Sequence, residues 1–99
     1  MFRHVVLFRW VDGVTDEQVA AISDELLRLP SIIPELRAYW VGPDAGASEG
    51  NFDYAVVADF DDVDSWRVYR DNPEHQRIAT EMIRPLVAER AAVQSAGHG

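Results

Sequence analysis

The side chains best able to move a proton lie together in Tyr69-Arg70-Asp71-Asn72-Pro73-Glu74-His75. Asn72 is a helix-capping type and Pro73 suits a first turn, so the spacing predicts a helix start with His75 at its third position. Tyr69 stands four residues before that start. The positive end of the helix dipole disfavours an imidazolium, so His75 is expected to be neutral near pH 7. A neutral imidazole can act as a general base, and a nearby tyrosine hydroxyl can polarise a carbonyl. The same pair can also just complete a core, with both polar tips hydrogen-bonded.

In the catalytic reading, His75 removes a proton from a carbon next to a carbonyl and Tyr69 donates to the developing enolate oxygen. The candidate substrate-binding residues are His4 and Tyr54 with the apolar Val6, Phe8, Trp10, Val56, Trp66, Ile78 and Met82. Together they would line a space between sheet and helices suited to a small hydrophobic or aromatic molecule. Solid packing of the same stripes is the competing outcome. Pairing the first and third strands places His4 near Phe60 and Trp10 near Tyr54, which puts His75 nearer Tyr54 than His4.

The elements that must position these groups follow from alternation. Residues 3–11 alternate His4, Val6, Phe8, Trp10 with Arg3, Val5, Leu7, Arg9, both sets largely apolar, as in a strand covered on two faces. Thr15 and Gln18 form a capping-box pattern before a helix striped by Val19, Ile22, Leu26 and Leu29, which Pro30 ends. A second strand spans residues 36–41 and a third spans 52–60. The small polar run 43–51 between them reads as a mobile lid. Asp61 and Asp62 cap a helix carrying Val63, Trp66 and Tyr69, interrupted at Asn72-Pro73 and resumed with His75, Ile78, Ala79 and Met82. Residues 86–94 hold a short fourth strand, and 95–99 are a tail in which His98 is exposed.

This order, β-α-β-β-α-β, predicts one α+β domain over residues 1–99 with its ordered core in about 2–94. The fold class is ferredoxin-like: a four-stranded antiparallel sheet with both helices on one face. Val5, Leu7, Ala55 and Val57 on the other face are too apolar to leave in water. A second copy laid sheet to sheet would cover them, making a homodimeric α/β barrel, with Arg3, Arg9, Asp53 and Asp59 either paired across the interface or solvated at its rim.

Composition narrows the function classes. Nine basic against 17 acidic residues give a net charge of −8, which argues against nucleic acid or an anionic membrane as partner. The absence of cysteine excludes thiolate chemistry, and His4, His75 and His98 lack metal-ligand spacing. No phosphate-binding glycine loop precedes a helix, and no serine sits in a nucleophile elbow. A cytoplasmic protein without bound cofactor is the expectation.

Several features together resemble the stress-responsive dimeric α/β-barrel (Dabb) family. They are Arg3-His4-Val5-Val6-Leu7-Phe8, Gly42, the strand 54–60, the block Tyr69…Asn72-Pro73-Glu74-His75-Gln76, and Leu86-Val87. The likeness spans about residues 2–94 and implies a dimeric barrel working without cofactor or metal. In a plant polyketide cyclase of that family, the catalytic tyrosine and histidine match Tyr69 and His75, and a first-strand histidine matches His4. Two further histidines of that enzyme correspond to Tyr54 and Asn72 here. The resemblance therefore implies the proton-handling pair without implying a polyketide substrate. A cofactor-independent monooxygenase and a non-catalytic, stress-related binding dimer are the alternatives within the same fold.

Overall fold

Alternation along β1 (Phe2–Trp10) divides the sheet into two faces. His4, Val6 and Phe8 are buried on one, while Arg3, Val5, Leu7 and Arg9 lie partly or fully open on the other. The computed structural model describes residues 1–97, so the expectation for His98 lies outside the described residues. After β1 come α1 (Asp16–Leu26), β2 (Ala38–Pro43), β3 (Tyr54–Phe60), α2 (Val63–Asp71), α3 (Pro73–Arg77), a π-helical segment (Ile78–Ile83) and β4 (Val87–Ser95). The strands form one antiparallel sheet in the order β2-β3-β1-β4. This is the expected ferredoxin-like arrangement.

The capping box forms as the sequence indicates: the Thr15 hydroxyl accepts from the Gln18 N–H, and the Gln18 side chain accepts from the Thr15 N–H. It starts α1 in a phase that buries Ile22 and Leu26 against the sheet. Leu29 and Ile33 extend that contact, and Val6, Phe8, Val56, Ala58, Phe60, Tyr69 and Ile78 complete the core. Each large aliphatic side chain so buried contributes about 1.5–3 kcal/mol.

Three expectations change. The fourth strand is not short: β4 runs nine residues and pairs with β1 from Arg3↔Ser95 to Trp10↔Val87. Its alanine-rich sequence gives a weak hydrophobic signal, whereas backbone pairing to β1 extends over its length. The 44–53 loop is tied down, with the Asp44 N–H on the Asp53 carbonyl (2.8 Å) and the Asp53 N–H on the Phe8 carbonyl (2.9 Å). It borders the outward sheet face with Leu7, Trp40 and Ala55, on the side away from the helices, and so is no lid over His75. The outward charges also pair within the chain. Arg3 stands opposite Asp59 in the ladder and grips it with two bonds of 2.7 and 2.9 Å, Arg9 bonds Glu89, and Asp53 accepts the Trp10 N–H.

What remains on that face is apolar. Trp40, Val57, Val5 and Val93 stand in register across all four strands, and Trp40 and Val93 are 59% and 58% exposed.

Candidate functional site

The site begins with a broken helix. Asp62 opens α2, its carboxylate accepting the Ser65 N–H at 2.8 Å. Pro73 then supplies no N–H, and Asn72 adopts an extended backbone whose side-chain oxygen accepts from the N–H groups of Glu74 (2.9 Å) and His75 (3.4 Å). In an unbroken helix the Glu74 N–H would bond the Arg70 carbonyl. That carbonyl is instead free, and it receives His75 Nδ1 at 3.1 Å together with the Gln76 side-chain amide. A carbonyl only accepts, so Nδ1 carries the hydrogen and Nε2 keeps its lone pair. The ring is thereby held against Tyr69, centroid to centroid 4.1 Å.

The second imidazole has the opposite tautomer. The Gln94 side-chain nitrogen donates to His4 Nδ1 at 3.1 Å, leaving the hydrogen of His4 on Nε2. Among the described residues no buried side-chain nitrogen or oxygen lacks a partner, and neither Nε2 has a partner among them. Both therefore open onto free space. The space these residues share is a cavity of about 320 Å³. Its floor is Val6, Phe8 and Val56 of the sheet, and its roof is Trp66, Tyr69, Arg70, His75, Ala79 and Ile83. Arg84, Val87 and Arg90 line the remaining side. The volume falls in the ordinary range for small-molecule sites.

Tyr69 is buried, and its hydroxyl lies 2.9 Å from that of Tyr39. Tyr39 is absent from the sequence-based candidates. The alternation Tyr39/Val41 against Trp40/Gly42 in β2 carries the signal that both tyrosines share a face. Arg70, Arg84 and Arg90 are likewise unanticipated, since a strand register and a helix exit bring them in from separate segments.

Of the candidates, the structure gathers His75, Tyr69, His4, Val6, Phe8, Val56 and Trp66 on this cavity. The placement of His4 away from His75 is corrected: it pairs with Ala58, not Phe60, and its ring lies 5.6 Å from that of Trp66. Tyr54, Trp10, Ile78 and Met82 are corrected too. Tyr54 hydrogen-bonds Ser23 of α1 at 2.8 Å, and the Trp10 ring packs on it at the far end of β1. Ile78 and Met82 leave the lining because the helix widens there: the Arg84 N–H reaches back five residues to the Ala79 carbonyl. Such π-wound turns accompany functional sites. This one presents Ala79 and Ile83 to the cavity, drives Ile78 into the core and leaves Met82 packed at the core's edge.

Burial, rather than the helix dipole, is the main cause holding His75 below its ordinary pKa, and the hydrogen bond to Arg70 opposes it. His4 is pushed down to about 4 by burial, with Arg90 and His75 adding to the effect. Burial raises Tyr69 to about 12 and Tyr39 further still. At neutral pH the site thus holds two neutral imidazoles and two protonated phenols. Among the described residues no three His, Cys, Asp or Glu side chains gather where they could hold a metal ion.

Two outcomes follow for stability. Between pH 6.5 and about 4 the unfolded chain binds a proton at His4 that the folded chain refuses. Stability therefore climbs with pH across that window and is complete above it. Thermal melts should show this slope in wild type and a shallower one in His4→Gln; ion-paired carboxylates such as Asp59 act in the same direction at lower pH. Asn72→Ala removes the cap on two N–H groups and should cost about 1 kcal/mol in a denaturant titration.

No curated protein matches the chain. A solved structure from Thermobifida fusca, described as a dimeric ferredoxin-like protein of unknown function, is 47% identical, with a TM-score of 0.88 over 95% of this chain and 88% of that one. A dimeric ferredoxin-like protein from Bacteroides fragilis is 26% identical, with a TM-score of 0.79 over 95% and 93% of the two chains. The hydroxynitrile lyase of Passiflora edulis shares the fold at 21% identity, with a TM-score of 0.81 over 95% and 90%. The family model described as Stress responsive A/B Barrel Domain matches residues 2–95, and the chain belongs to that family, Dabb.

Proposed function

We propose that the protein is a proton-transfer catalyst acting, without bound cofactor, on a small apolar or aromatic carbonyl compound. The observation that carries this reading is the pairing of opposite tautomers on one cavity: His75 offers a lone pair and His4 an N–H, both through Nε2. His75 Nε2 takes the proton from the carbon beside the carbonyl. The electron pair left behind moves onto the carbonyl oxygen, where His4 Nε2–H and the Tyr69 hydroxyl donate to it. Either hydroxyl of the Tyr39–Tyr69 pair can donate to the other; in the catalytic arrangement Tyr39 donates to the Tyr69 oxygen and the Tyr69 proton goes to substrate. Tyr39 is then a positioning residue. Return of the proton from His75 to carbon or to a leaving group completes the cycle.

The reading predicts exchange. Deuterium incorporation at the α-carbon of phenylacetone and related aryl ketones, followed by NMR in heavy water, should be accelerated by wild type. His75→Ala should lose about 10²–10⁴ of that rate. Tyr69→Phe, which removes one donor to the oxyanion, should lose about 10²-fold or more. An aryl hydroxynitrile belongs on the same panel, because releasing cyanide from it needs the same base placed at a hydroxyl proton. Equal rates in wild type and both variants on every compound would remove the assignment.

The second part of the proposal is a homodimer built through the outward sheet face. The exposed row Trp40, Val57, Val5, Val93 supports it, as does the dimeric state of the Thermobifida fusca relative. Burying that row against its own copy is the economical cover for an apolar sheet. Sedimentation should find wild type at twice the monomer mass and Val5→Asp as a monomer.

A further inference from the structure

The cavity has the opposite charge to the chain. The sequence holds 17 acidic residues and nine basic ones, all arginine. Yet among the described residues no aspartate or glutamate lines the cavity, and three arginines do. Among the described residues, seven arginines have a carboxylate partner: Arg3, Arg9, Arg28, Arg37, Arg67, Arg70 and Arg77. The remaining two, Arg84 and Arg90, are both on this cavity. Arg70 is held by Asp71 through two bonds and lies 5.2 Å over the Trp66 ring, so it serves as wall. Arg84 leaves the turn before β4, and Arg90 stands opposite Phe8 on that strand; both are exposed, at the mouth, while His4 and Tyr69 are buried at the inner end.

Carboxylates are plentiful on this surface, so unpaired guanidinium groups confined to one cavity are groups kept for a ligand. Their planar donor fork matches a carboxylate. We propose that the cavity takes a small organic monocarboxylate, its charged end gripped at the mouth by Arg84 and Arg90 and its apolar body reaching over Val6, Phe8 and Val56 toward His75. This names the substrate class of the catalytic reading above and rests on that reading for the role of the inner end, while the binding itself stands independently. The same cations favour the negative charge that forms on an enolate inside the cavity.

Calorimetric titration of wild type with benzoate, phenylacetate and 4-phenylbutyrate, against the matching primary amides, tests it. At least one acid should bind about tenfold or more tightly than its amide, more weakly as salt is raised. Arg84→Gln and Arg90→Gln should each weaken the acid about fivefold or more, leave the amide unchanged and melt as wild type does, since both side chains are exposed. His75→Ala should keep the acid affinity while losing exchange activity, which separates failure of the catalytic reading from failure of this one. Acids and amides binding alike, no acid binding, or acid affinity unchanged in both arginine variants would overturn the proposal. Inorganic phosphate binding as tightly as the best acid would also overturn it, by making the site a general anion hole.

Discussion

A single backbone carbonyl, that of Arg70, sets up the site. It is released because Pro73 cannot continue the helix and Asn72 takes the N–H of Glu74 for its own side chain. A freed carbonyl inside a partly buried helix must find a donor. His75 Nδ1 is the donor it finds, and with that bond the ring's orientation, its tautomer and its contact with Tyr69 are decided together. The helix break thus fixes the geometry of the proposed proton-transfer pair, and in the wider π turn that follows Ile78 lies in the core and Ala79 on the cavity.

Electrostatics then keep both imidazoles uncharged at neutral pH. Burial of both imidazoles disfavours their charged forms, and Arg90 adds to that effect at His4. A strongly acidic protein would ordinarily stabilise imidazolium. Among the described residues, carboxylates pair with seven arginines and none lines the cavity. The result is a neutral base within a locally positive, apolar chamber, a setting in which developing negative charge is stabilised more than it would be in water.

The two sheet faces divide the work. His4, Val6 and Phe8 of β1 face the cavity, and the residues between them build an apolar outer surface whose charged rim is satisfied within the chain by Arg3–Asp59 and Arg9–Glu89. Because the rim ion pairs close internally, the outer face needs no charge from a second subunit, only apolar cover. A change on one face is accordingly free to leave the other intact.

Local signals in the sequence were enough for the element order, the Thr15 and Asp62 caps, the two-sided β1 and the Asn72-Pro73 break that aims His75 inward. Each depends on neighbours within a few residues, where propensity and capping act. The register that seats His4 opposite Ala58, the Tyr39–Tyr69 hydroxyl pair, the Ser23 tie that removes Tyr54 from the site, and the arrival of Arg84 and Arg90 at the mouth were decided only in three dimensions. Strand register turns on a one- or two-residue choice that alternating apolar residues leave open, because every two-residue slip keeps the same side chains facing inward. The π turn was equally out of reach, since nothing in the residue types of Ile78–Ile83 marks the five-residue reach of the Arg84 N–H to the Ala79 carbonyl.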